Sequence, residues 1–141
     1  MANDAGDFAR SMSIATSGLR AQAGRMRVLS ENIANADSIA ATAGGDPYRR
    51  KVPTFSSALD RTLDARVVTL GKIRTDQAAF RVKHEPSNPA ADAAGNVKYP
   101  NVNPLVEMTD MREAQRSYEA NLNIISATRR MIQRTLDILK A

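Results

Sequence analysis

Residues 103–141 read NPLVEMTDMREAQRSYEANLNIISATRRMIQRTLDILKA, with neither Gly nor Pro after Pro104. Asn is a good N-cap and Pro is tolerated at the first helical position, so Asn103-Pro104 predicts a helix start. Apolar side chains then recur at spacings of three and four: Met108, Met111, Tyr118, Leu122, Ile125, Ile132, Leu136 and Leu139. Gln115 and Arg129 interrupt a period near 3.5, the period of a coiled-coil seam. Ile124, Met131 and Ile138 lie beside the seam and widen it. At 1.5 Å per residue, a helix through this stretch is about 55 Å long. In so short a chain it cannot bury its stripe against a compact domain of its own. It needs a partner helix, another subunit or both.

A matching feature stands at the other end. Phe8, Met12, Ala15, Leu19, Gln22, Met26, Leu29 and Ile33 alternate spacings of four and three. They predict a helix of roughly 40 Å, with Met1–Gly6 as a polar, flexible start. Gly18 and Gly24 weaken it by about 1 kcal/mol each relative to Ala. Pairing this helix with the C-terminal one, parallel or antiparallel, is the simplest way to bury both seams.

Between the helices the period changes. The first helix is expected to fail near Asn35, and Gly44-Gly45-Asp46-Pro47 is a loop with strong breakers. Phe55, Leu59 and Leu63 share one helical face, so Phe55–Asp64 reads as a short helix. Val67–Leu70, Phe80–Lys83 and Val97–Tyr99 read as strands. The expected fold is mainly α with a small β insertion. Residues 1–40 form the N-terminal helix with its flexible start, 41–102 a loop plus a β-rich insertion, and 103–141 the C-terminal helix.

Composition narrows function. Aromatics are 4% of the 141 residues, there is no Trp and no Cys, and no apolar run approaches the roughly 18 residues of a membrane span. A basic region followed by an apolar block, the mark of a cleaved secretory signal, is not visible at the N-terminus. The net charge of +5 is concentrated in residues 41–102, which hold ten basic and six acidic side chains. Arg49-Arg50-Lys51 is the only tight cluster, and it lacks the interleaved aromatics of a single-strand binder. The single His84 cannot anchor a metal site. Asp60 and Asp64 read as solvated helix charges beside Arg61 and Arg66. Ser11, Ser13 and Ser17 have no nearby His to activate them. No catalytic set, metal or cofactor is indicated, and assembly is the better hypothesis than enzyme. Asn32 and Asn35, with Asn121 and Asn123, are unusual in helices. They are either fraying and solvent-facing residues or polar groups that fix register across a helix interface.

Several stretches resemble a known family. Arg25–Ser38, with Asn32-Ile33-Ala34-Asn35 at its centre, is similar to the N-terminal motif of flagellar rod and hook proteins. Pro47-Tyr48-Arg49-Arg50-Lys51 and Tyr99-Pro100-Asn101-Val102-Asn103 resemble segments of the C-type proximal rod proteins. Met111, Ala114 and Arg116-Ser117-Tyr118-Glu119-Ala120-Asn121 resemble that family's C-terminal motif. The family commonly has a Pro near Gln77–Phe80, a Gly-Tyr-Val turn at Gly95–Val97 and Thr at Ser38; this chain has none of the three.

The resemblance implies a structural subunit of the flagellar rod, exported by the flagellar type III apparatus without a cleaved signal. Its terminal helices would form the wall of a helical tube crossing the periplasm. Its partners would be copies of itself, other rod proteins, the small adaptor at the rod base and the surrounding rings, with no nucleic acid and no membrane span. The residues expected at assembly interfaces are Leu19, Met26, Leu29, Asn32, Ile33, Asn35, Tyr48 and Arg49. On the last helix they are Met108, Met111, Arg116, Tyr118, Asn121, Leu122, Ile125, Ile132 and Leu136. The competing readings are a small basic nucleic-acid-binding protein and a coiled-coil adaptor of fixed oligomer state.

Overall fold

The computed structural model describes residues 2–140. Two long helices, α1 (Ala2–Ala34) and α2 (Pro104–Lys140), enclose six short strands in the chain order. The strands are β1 (Lys51–Val52), β2 (Phe55–Asp60), β3 (Ala65–Leu70), β4 (Arg74–Thr75), β5 (Arg81–His84) and β6 (Asn96–Tyr99). They pair as three separate antiparallel ladders, β1 with β4, β2 with β3 and β5 with β6. The mainly α fold with a small β-rich middle is therefore as the sequence indicated.

The predicted boundaries of the helices hold where a physical stop signal exists. The Leu105 N–H donates to Asn103 Oδ1 at 3.1 Å, so Asn103 is the N-cap of α2 and Pro104 its first residue. α1 ends at Ala34, where Asn35 and Ala36 turn back onto Glu31 and Ile33 carbonyls. At the other end α1 starts well before Phe8. The expected flexible start is helical from Ala2, and Met1 lies outside the described residues. Asp7, near the N-terminus of the macrodipole and 3.3 Å from Arg10, favours that extension.

The chain divides into two compact units. One comprises Met1–Arg25, Thr54–Lys72 and Glu113–Ala141; the other comprises Met26–Pro53 and Ile73–Arg112.

In the first unit α1 and α2 run antiparallel. A Cβ on Gly18 would sit 2.9 Å from the Asn121 amide, and Arg25 lies 3.6 Å from Glu113. The helices approach so closely at Gly18 because it has no side chain. The buried column of α2 is Ala114 and Thr128, with Asn121 between them, and Tyr118, Ile125 and Ile132 flank it half-buried. The sequence seam thus holds for Met111, Tyr118, Ile125 and Ile132. Its second column lies one residue away from the one the fold buries: Met108, Leu122 and Leu136 are exposed, and so is Leu139 at the end of the first column.

The β2–β3 hairpin packs on α1 in the same unit. Phe55–Asp64 was expected to be helical, and this is corrected: Phe55–Asp60 is a strand in register with Ala65–Leu70, and residues 61–64 are its turn. Asp64 adopts φ 46°, and the Thr62 N–H donates to Asp60 Oδ1 at 2.9 Å. Asp60 and Asp64 are therefore not on one helical face. Leu63 O accepts from Arg10 Nε at 2.8 Å, and the Val68 N–H donates to Ser17 Oγ at 3.1 Å. Leu70 lies over Gly24, where a Cβ would come within 2.7 Å of its Cδ2.

The second unit is built around Val28, Leu29, Val97, Pro100 and Val102, all buried. Lys98 Nζ reaches Asp46 at 2.8 Å, and the Tyr99 hydroxyl donates to Glu85 at 3.0 Å. His84 is an exposed strand-end residue, 3.2 Å from Asn96 Oδ1.

Candidate functional site

A buried polar junction forms where α1 ends and α2 begins, within the second unit. Its centre is the Asn32 side chain, which is 0% exposed. Both amide protons are used: Nδ2 donates to Lys51 O at 2.8 Å and to Glu107 Oε2 at 2.9 Å. Both lone pairs are used as well: Oδ1 accepts from the Tyr48 hydroxyl at 2.8 Å and from the Lys51 N–H at 2.9 Å. An Asn amide offers two donors and two acceptor sites, and here all four are occupied.

Glu107, on the first turns of α2, is also 0% exposed. Its second oxygen accepts from Arg50 Nε at 2.6 Å. Arg50 in turn lies 3.7 Å from Asp76 and 3.9 Å from Asp110. Burial works against the guanidinium charge, but the hydrogen bond to Glu107 and the fields of Glu107, Asp76 and Asp110 outweigh it and raise the Arg50 pKa. The Arg50 backbone is fixed too: its N–H donates to Asn101 Oδ1 at 2.8 Å, while Asn101 Nδ2 donates to the Asp76 and Ala78 carbonyls. Arg81 ties the start of the loop down, donating to Pro100 O at 3.0 Å and Ala36 O at 2.8 Å.

The three basic neighbours thus have different partners. Arg50 serves Glu107, Lys51 pairs with Glu31, and the Arg49 guanidinium stacks 4.1 Å from the centroid of Phe80. This resolves the two readings of the helix-end asparagines differently for each. Asn32 crosses to other elements. Asn35 and Asn121 donate to carbonyls of their own helices, Glu31 and Ser117, and Asn123 is exposed.

Burial pushes the Tyr48 phenol up to about 12, with Glu31 and Glu107 adding to the effect. The neutral phenol is the form that donates to Asn32. A raised folded-state pKa contributes stability that is complete below the ordinary tyrosine value of 10.0 and is lost as pH rises through about 12. Absorbance titration at alkaline pH should show a late tyrosine step at about 12 that shrinks in Tyr48→Phe, where Tyr99, raised by its hydrogen bond to Glu85, still ionises above the ordinary value. A wild-type chain whose tyrosines all ionise near the ordinary value would contradict this geometry.

The expected interface residues divide between the two units. Met26, Leu29, Asn32, Ile33, Asn35, Tyr48, Arg49, Met108 and Met111 belong to the second. Leu19, Arg116, Tyr118, Asn121, Leu122, Ile125, Ile132 and Leu136 belong to the first. Leu29 is buried; Leu19, Met26 and Ile33 are half-buried; Met108 and Arg116 are exposed. Sequence reasoning missed Glu107, Asp76 and Asn101 as members of the junction. The available signal was Glu107 itself, an acid one turn after the N-cap beside an otherwise apolar stripe. Among the described residues there is no group of three or more His, Cys, Asp or Glu that could hold a metal ion, and no helix is long and apolar enough to cross a membrane. The junction's chemistry is that of a lock: it joins α1, the segment from Tyr48 to Lys51 and α2 through groups that satisfy one another.

Asn32, Tyr48, Arg50 and Lys51 of this lock lie in the segments that resemble rod proteins, and the terminal regions of the chain match that class. The family described as flagella basal body rod protein matches residues 12–38, and the flagellar basal body rod FlgEFG protein C-terminal family matches residues 93–138. The chain has the two terminal regions of an axial flagellar protein, and its class is structural. The flagellar basal-body rod protein FlgC of Agrobacterium fabrum is 53% identical over 128 residues, covering 91% of this chain and 92% of that protein. FlgC of Bacillus subtilis is 38% identical over 145 residues, covering 92% and 97%, and FlgC of Aquifex aeolicus 37% over 135 residues, covering 95% and 98%. The chain belongs to the FlgC family of flagellar basal-body rod proteins.

Proposed function

We propose that this rod subunit polymerises through the outer face of its terminal helices, with copies of itself and other rod proteins, into a tube that transmits torque and passes exported subunits. The observation that carries this reading is the row Leu122, Ile124, Met131, Leu136, Ile138 and Leu139 on α2. These side chains are between 43% and 76% exposed, although α2 already packs on α1. Spacings of seven put Ile124, Met131 and Ile138 in one column, and a spacing of fourteen, with Arg129 between, puts Leu122 and Leu136 in another. Two such columns suit a further helix packed alongside. Within this reading, the chain leaves the cytoplasm through the flagellar type III apparatus without a cleaved signal and lies in the periplasmic span of the basal body. There it meets the adaptor at the rod base and the ring proteins.

The test is amide hydrogen exchange on the free chain and on the chain within purified basal bodies. Residues 119–140 are expected to become protected by orders of magnitude on assembly. Equal exchange in the two states would overturn the reading. So would a single discrete oligomer of the free chain that never enters basal bodies, since that is the behaviour of an adaptor.

A further inference from the structure

The three ladders differ in how their outer edges are guarded. β1 and β4 are two residues each and carry Lys51 and Arg74. β5 holds Arg81 and Lys83 within four residues. Short strands and basic side chains are ordinary ways of keeping a sheet edge from pairing with another chain. β2 has neither. It is six residues long, and the run from Phe55 to Leu59 is uncharged and exposed. Its two large apolar side chains, Phe55 and Leu59, are 43% and 56% exposed.

The register fixes which backbone groups are open. The Gly71 N–H donates to Thr54 O at 2.7 Å, and on the far side of β3 the Val68 N–H donates to Ser17 Oγ at 3.1 Å. Hydrogen-bonded and non-hydrogen-bonded pairs alternate along an antiparallel ladder. The N–H and C=O groups of Ser56, Ala58 and Asp60 therefore face β3, and those of Phe55, Ser57 and Leu59 point away from it. α1 covers the other side of β3, so β2 is the open edge of the hairpin. Arg66 reaches that edge from β3. It stands opposite Leu59, and its Nη1 donates across to Ser57 Oγ at 3.3 Å. Among the described residues no carboxylate pairs with it. The edge thus presents Phe55, a guanidinium at Ser57, and Leu59.

We infer that β2 takes an added strand from a different protein: an extended segment with apolar side chains opposite Phe55 and Leu59 and a carboxylate between them, beside Arg66. In strand addition the main-chain bonds give affinity and the alternate side chains give specificity. A second copy of this chain has no such strand to offer. Every strand other than β2 carries a basic residue and no acid: Lys51, Arg66, Arg74, Arg81 with Lys83, and Lys98. Each would bring a like charge toward Arg66. Two β2 edges paired about Ser57 would bring their two Arg66 side chains together. The contact concerns one edge of the subunit and does not depend on how its terminal helices assemble.

The test uses the purified full chain and a short synthetic peptide with glutamate at its centre, valine two positions away on either side and threonine elsewhere. Amide chemical shifts should move at Phe55, Ser57 and Leu59. The same peptide with lysine for glutamate should bind about tenfold more weakly, from the contrast of opposite and like charges across a strand pair. Arg66→Glu should invert that preference. Ser57→Pro removes an outward N–H while leaving the bonds to β3 in place, and should abolish binding; Ser57→Ala should not. If Ser57→Pro fails to fold, the Arg66→Glu inversion still decides. In flagellated cells, a photo-reactive residue at Ser57 should cross-link to a different protein. Equal binding of the two peptides, or shifts along β5 instead of β2, would overturn the assignment. So would a cross-link only between copies of this chain, or none.

Discussion

Replacing Asn32 by Asp should destabilise the second unit by about 3–5 kcal/mol, the scale for breaking a buried charged network. The change is nearly isosteric, so packing is preserved and only the hydrogen-bond chemistry alters. Asp has no Nδ2, so the Lys51 and Glu107 acceptors each lose a donor. A second carboxylate then faces Glu107 at the position where the amide stood 2.9 Å away, with both groups cut off from solvent. Like charges at that separation raise the pKa of one of the pair. A carboxyl whose folded pKa is raised destabilises above its folded value and is relieved as pH falls through it, so the deficit relative to wild type shrinks on acidification. Arg50→Met should cost a similar amount by the opposite route, leaving Glu107 without its cation. Urea unfolding of the three chains at neutral pH measures both effects. Asn123→Asp, at an exposed site, should stay within about 0.5 kcal/mol of wild type. If Asn32→Asp matched that control, the junction would not be a lock.

The asparagine motif was visible in the sequence, but its partner was not, and the reason is physical. Asn32, Tyr48 and Arg50 come from motif segments that resemblance picks out. Glu107 lies 75 positions from Asn32, and nothing local to either predicts that they meet. The same limit acted on Phe55–Asp64. Phe55 and Leu59 are spaced to fit a helix face, yet they also fall on one face of a strand. The β3 partner, which decides between the two, is a non-local contribution to the same local sequence. The N-cap at Asn103 and the end of α1 at Ala34 were legible because caps and turn residues act within a few positions. Apart from Leu139 near its end, the α2 seam failed in one column, and for a different reason. Counting apolar residues favours Met108 and Leu122 over Glu107 and Asn121. The fold instead turns the small and polar column inward: Ala114 is 0% exposed, and Asn121 fits against Gly18. Close approach of two helices selects small side chains, while hydrophobic periodicity ranks large ones. The large residues left outside are then free for another purpose.

That division yields the second prediction, a contrast between neighbouring positions of one helix. Leu122→Asp should abolish incorporation into basal bodies while the purified chain unfolds at nearly the wild-type urea concentration. Leu122 is 43% exposed in the free subunit, so a carboxylate there keeps its water and costs the monomer about 1 kcal/mol or less. In an assembled wall the same carboxylate would be buried without a partner, a penalty of several kcal/mol repeated at each copy. Ile125→Asp should behave differently. Ile125 lies half-buried in the column that flanks Asn121 and Thr128, so its replacement loses packing within the subunit and puts a charge beside α1. The free chain itself should lose about 2–4 kcal/mol, and any assembly defect follows from that. Denaturant midpoints and basal-body incorporation, measured on both variants, separate the two faces. A Leu122→Asp chain that assembles normally would show that the outer columns are bare surface. A Leu122→Asp chain as unstable as Ile125→Asp would show that they serve the subunit's own fold. Only a stable chain that fails to assemble matches a helix built with one face for itself and one for its neighbours.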